Sequence, residues 1–219
     1  MLAETAPKVI DRYFLRSDEA ITQASQRGGA VIVASDQRRW QVELFAGDRH
    51  LRPGDRFEIV EVRPFIFADP PPRPHGVALL PDGSMFHLND DGEFKAFWAC
   101  VHPLLQPLEL AALLARYQGK GPSFEQHQNL IVALDDLVGL LEPQQAKAVP
   151  ELIGVQSSTT AEGVSAVEFC TFYIAQEPAD NVFRVGLNRW RVETGAHGQL
   201  DWTSGPIARG LDSPRYSPR

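Results

Sequence analysis

Apolar residues recur at helical spacing near the start of the chain. Val9, Ile10, Tyr13 and Phe14 fall on one side, and Thr5 with Pro7 stand where a cap and an early-turn proline belong. The pattern predicts an N-terminal helix. A second helical start is read at Ser17-Asp18-Glu19, with Ala20, Ile21 and Ala24 inward and a stop at Gly28-Gly29. From Ala30 the period shortens to two. AVIVA (30–34) predicts a buried strand, and WQVELFA (40–46) sets Trp40, Val42 and Leu44 against Gln41 and Glu43. After a Pro53-Gly54 turn a long strand is expected. Its apolar side switches, with Phe57 and Ile59 on one face, Val60 and Val62 on the other, and Phe65 and Phe67 back on the first. One extra residue re-aims every side chain after it, so the switch predicts bulges, and residues 30–67 are read as a small barrel or strongly curved sheet.

ADPPPRPHG (68–76) is short of backbone donors and reads as a stiff surface connector. Beyond it, GVALL, SMFHL and EFKAFWA are three short apolar runs. Pro81-Asp82-Gly83 and Asn89-Asp90-Asp91-Gly92 separate them, and both have hairpin-turn chemistry. Residues 86–102 are therefore expected to form a hairpin within a three-strand meander. Two helices follow: PLELAALLARYQ (107–118), and a longer one over 123–142 with Ser123 and Gln126 as capping box. Its apolar stripe is Leu130, Ile131, Leu134, Leu137, Val138 and Leu141. On that reading Leu134 is central to the core. A further short helix is read within 144–153. SAVEFCTFYIAQ (165–176) and NVFRVGLNRWRVET (181–194) are strands, while DWTSGPIARGLDSPRYSPR has no trustworthy period. The fold class is α+β, mainly antiparallel, with an N-terminal helix and a central helical pair. Two subdomains are expected, 1–68 and 76–219.

Charge changes this picture at one end. The net charge is −7, yet residues 182–219 hold six Arg against three acids. An acidic whole argues against general nucleic-acid binding. Two cysteines and the lack of any segment near the ~20 apolar residues of a membrane helix point to a soluble, cytoplasmic chain with reduced thiols.

Candidate chemistry is sparse. Asp90, Asp91 and Glu93 are a fragment of a calcium loop at most. His87, Cys100 and His102 have the wrong spacing for a zinc finger, so no metal and no cofactor is expected. Lys120, in Gly119-Lys120-Gly121, lacks the rest of a phosphate-binding loop. Glu168, flanked by Val167 and Phe169, is a candidate acid–base carboxylate beside a pocket, while Cys170 reads as a small hydrophobe. In NRWRVE the inward parity changes across Leu187-Asn188-Arg189, which predicts a bulge or tight turn that sets Arg189 and Arg191 outward together, with Trp190 buried between them or exposed at a bend. Arginine and tryptophan are enriched at binding hot spots. Arg189, Trp190 and Arg191 are thus the expected contact for an acidic protein partner. The leading function is non-catalytic protein binding, as an assembly factor, adaptor or immunity-like inhibitor. One alternative is an enzyme or small-molecule binder with its pocket near Glu168. Another is single-strand nucleic-acid binding on residues 30–67.

Overall fold

A computed structural model of the chain describes residues 2–66, 73–119, 128–147, 154–159, 164–177, 182–195 and 198–213. The chain packs as two compact units, Met1–Phe97 and Trp98–Arg219. Each holds one antiparallel sheet, and the fold is α+β as the pattern predicts. Along the chain the division falls after Phe97 and not at the proline-rich stretch, because the strands on either side of that stretch are paired with each other.

In the first unit, α1 (Leu2–Tyr13) carries Pro7 in its early turns and buries Ala6, Val9 and Ile10. Strands β1 (Ile21–Arg27), β2 (Ala30–Ser35), β3 (Arg39–Leu44), β4 (Glu58–Pro64), β5 (His75–Leu79) and β6 (Met85–His87) follow, each paired with its predecessor. Val31, Val33, Trp40, Val42, Val60, Val62 and Val77 pack against α1. The strand registers place them all on one face.

Three expectations are corrected here. The helix read from Ser17 to Gly28 is strand β1, turned back on β2 by Gly28 at φ +59° so that Arg27 faces Ala30. Glu19 is not a first-turn acid. Its side chain is fully buried and receives both Nε and a terminal nitrogen of Arg38, which also donates to the Phe14 carbonyl. That guanidinium holds the Glu19 carboxyl below its usual range. Second, the sheet is open: no pairing joins β1 to β6 among the described residues, so residues 30–67 do not close into a barrel. Third, β4 contains no bulge. It pairs in step with β3 and with β5. Its parity switches because both faces are covered: Val60 and Val62 face α1, while Ile59 lies on the opposite face, where Phe57 and Phe86 pack edgewise or tilted against Phe97. The extra residue falls between Ile21 and Gln23 of β1 instead. Of the proline-rich segment, residues 68–72 lie outside the described residues, as does Phe67, expected on the face of Phe57.

The predicted third strand of the meander is helix α2 (Asp91–Val101). Asn89-Asp90-Asp91-Gly92 is the helix start, not a hairpin tip. Asp90 Oδ1 accepts the Glu93 amide at 2.9 Å, and the Asp90 carbonyl accepts that of Phe94. Phe94, Phe97, Trp98 and Val101 are all buried, at an i, i+3, i+4, i+7 spacing that only a helix brings to one side.

In the second unit, α3 (Pro107–Leu113) opens with proline at its first position and continues through π-type turns over Leu114–Gln118, ending before Gly119 as read. The central helical pair is α2 and α3. The helix predicted over 123–142 is absent where the structure describes it, and its capping box at Ser123 and Gln126 lies outside the described residues. Asn129–Ile131 is strand β7, a single 3-10 turn covers Leu134–Asp136, and α4 is Pro143–Lys147. Asp136 Oδ2 accepts the amides of Val132 and Ala133, and Gly139 sits at φ +76°. Both features stop a helix there. The supposed stripe divides: Leu130, Ile131, Leu137 and Leu141 are buried, whereas Leu134 is 43% and Val138 68% exposed.

The sheet of this unit runs β11-β10-β9-β7, with β8 (Gln156–Thr159) also on β9. Strands β9 (Ser165–Glu177) and β10 (Val182–Thr194) pair residue for residue over their whole length. Gly186 lies beneath the ring of its partner Tyr173, in space that any Cβ would take. The C-terminal stretch without a legible period is strand β11 (Leu200–Asp212). No helix among the described residues is long and apolar enough to cross a membrane.

Candidate functional site

Paired residues of an antiparallel ladder share a face. Arg189, Arg191 and Glu193 on β10 therefore stand with Cys170, Glu168 and Ala166 on β9, and with Gly205, Thr203 and Asp201 on β11. At the other end of this face Val185, Leu187 and Cys170 are buried with Ile131, Leu137 and Leu141. That cover stops near Cys170, and the strands run on beyond it. Past this point Arg189, Arg191, Glu193 and Thr203 are exposed.

The opposite face is buried where the first is bare. Trp190 is 1% exposed, stacks on Phe169 with ring centroids 5.6 Å apart, and donates its indole N–H toward Gln128 Oε1 at 3.1 Å and Thr171 Oγ1 at 3.0 Å. The Thr171 hydroxyl in turn donates to Gln128 Oε1. The indole N–H, the Thr171 hydroxyl and Gln128 Oε1 thus satisfy one another in the buried interior, as buried polar groups require.

These two covers explain the parity change along β10. The strand stays in step with β9, and the register shifts lie on the β11 side, between Val185 and Asn188. Arg189 and Arg191 point outward together as expected. Trp190 takes the first of its two expected placements: it is buried between them, on the opposite, covered face.

Arg189, Arg191, Thr203, Gly205, Pro206 and Ile207 line a shallow groove of about 450 Å³. The two arginines differ in how they are held. Arg191 donates Nε to Glu193 Oε1 at 3.0 Å and a terminal nitrogen to Glu168 Oε1 at 2.8 Å, and these carboxylates raise its pKa. Arg189 forms no ion pair among the described residues. Its guanidinium lies against the Cys170 thiol, where it opposes the upward push that burial gives that group. Opposite Arg189 stands Gly205, and the space a Cβ would occupy there is open. Ile207, 42% exposed, forms an apolar rim.

Glu168, the candidate acid–base residue, is half-exposed and held by Arg191. His87, Cys100 and His102 do not come together. His87 faces His75, His102 Nδ1 lies 3.2 Å from the Ala99 carbonyl, and Cys100 is exposed on α2. No set of three or more His, Cys, Asp or Glu side chains converges on a metal position among the described residues. Lys120 lies outside the described residues. Sequence reasoning missed Thr203, Gly205, Pro206 and Ile207, because a strand whose register slips against its neighbour keeps no simple parity. No protein-family model, curated protein or solved structure matches this chain.

Proposed function

We propose that this chain is a non-catalytic protein that binds an acidic segment of another protein on the exposed face of the β9–β10–β11 sheet. The observation that carries the reading is Arg189: a guanidinium without a carboxylate partner among the described residues, beside an open groove with an apolar rim. An acidic side chain of the partner would supply the missing charge, and Pro206 and Ile207 would supply apolar contact around it. Roles as an assembly factor, adaptor or immunity-like inhibitor all fit this chemistry. A reducing compartment such as the cytoplasm suits the two cysteine thiols, one of them exposed.

The test is charge reversal. Arg189→Glu with Arg191→Glu should abolish co-purification of the partner from native lysate, followed by mass spectrometry, while the thermal melt stays nearly unchanged. Retention of the partner by a folded double variant would overturn the reading.

A further inference from the structure

The first unit holds a pair of imidazoles that the groove does not involve. His75 opens β5 and His87 closes β6, on the face that α1 covers, as diagonal neighbours: His87 pairs with Val77, two residues beyond His75. Their ring nitrogens His75 Nδ1 and His87 Nε2 stand 3.2 Å apart. Phe14 packs edge-on against both rings, at 5.4 and 5.5 Å between centroids, and Tyr13 lies 5.6 Å from His87.

We propose that His75 Nδ1 and His87 Nε2 together form a two-imidazole seat for a late divalent transition-metal ion, which fastens the short edge strand β6 to β5. Two imidazole nitrogens bound at about 2.0–2.1 Å lie roughly 3.0 Å apart at a right angle and roughly 3.4 Å apart at a tetrahedral angle. The observed 3.2 Å falls between these bites. Without an ion the two nitrogens share a hydrogen bond, one donating to the other; on binding, the donor ring shifts to its other neutral tautomer, which frees both facing lone pairs for the ion. Burial favours the neutral rings that coordination needs, pushing His75 down to about 4 and lowering His87 as well, the latter against the pull of Glu93 and Asp90. Arg73 acts on His75 in the same direction as burial. Glu93 is committed elsewhere: it accepts the His87 amide at 2.7 Å and adds to the rise that burial gives the Tyr13 pKa. The Tyr13 hydroxyl is spent on the Met85 carbonyl. Water therefore completes the coordination shell. Such a site prefers imidazole-seeking ions, Cu²⁺ above Ni²⁺ and Zn²⁺, and ignores Mg²⁺.

Calorimetric titration of the full chain at pH 7.5 tests this. One ion per chain is expected to bind, in the order Cu²⁺ then Ni²⁺ and Zn²⁺, with a melting temperature raised by several degrees at saturation and no response to Mg²⁺. His75→Ala and His87→Ala should each weaken Zn²⁺ binding at least tenfold, and His102→Ala should not. Should either alanine variant fail to fold, the wild-type chain still decides: Zn²⁺ must shift the ring resonances of two of its six histidines, and these must be His75 and His87. Absence of binding, affinity unchanged in the folded variants, or resonance shifts at other histidines would overturn the proposal.

Discussion

The two sheets are both antiparallel, yet they use their surfaces differently. In the first, short strands follow one another in order, and the helix α1 roofs a face whose valines all point at it. In the second, β9 and β10 run thirteen residues each and outreach the cover that Ile131, Leu137 and Leu141 provide. The uncovered length is where charge collects. A strand matched to its cover makes only core, and one that outruns it makes core at one end and a surface at the other. The candidate binding groove is the overhang of the second sheet.

Trp190→Ala should break the second sheet most severely, by about 3–5 kcal/mol, because it empties a large buried volume and strips Gln128 and Thr171 of their shared donor. Urea unfolding of the variant measures the loss, and a value near zero would mean that Trp190 is not core.

A paired comparison locates the edge of the cover. Leu137→Ala should cost about 2–5 kcal/mol, since its side chain is fully buried. Leu134→Ala should cost less than about 1 kcal/mol, because the residue is 43% exposed. Equal losses by denaturant titration would contradict the division of that stripe.

The first sheet carries a pH dependence that the second does not share through its groove. The folded His75 pKa is near 4, below the ordinary 6.5 of the unfolded chain. Between these values the unfolded state holds a proton that the folded state lacks, so stability is full above 6.5 and is lost as pH falls toward 4. The shift corresponds to at most ~3 kcal/mol. Thermal melts from pH 7.5 to 4.5 should show the decline, and His75→Phe should reduce it, leaving the part that the lowered His87 carries.

The smallest effect is expected on the overhang itself. Arg189→Ala should change stability by less than about 0.5 kcal/mol, since the side chain is exposed and joins no carboxylate among the described residues. A loss well beyond that in thermal or urea melts would make Arg189 part of the structure, not of a surface.

Much of the fold is legible along the chain. AVIVA, WQVEL, SAVEFCTFYIAQ and VFRVGLNRWRVET are strands as read, and α3 with its following turns runs from Pro107 to just before Gly119. Three segments read wrongly, each for a physical reason. ITQASQR is an exposed edge strand with little apolar content, so its alternation is silent. EFKAFWACV carries a clean helical stripe, but Asn-Asp-Asp-Gly serves a helix start as readily as a hairpin. NLIVALDDLVGLL has the spacing of a helix. Asp136 and Gly139 hold its backbone in a strand and tight turns instead.

By itself the sequence determined the α+β class, most strand positions, and the outward turn of Arg189 and Arg191. Local propensity and period two or 3.6 are properties of adjacent residues, and they survive without knowledge of the rest. Only the tertiary structure decided which face each strand shows to its cover, and where that cover ends. It thereby made Trp190 core, Glu168 an ion-pair partner, and His75 the neighbour of His87. These outcomes depend on strand register and on elements far apart in the chain, which no local period records.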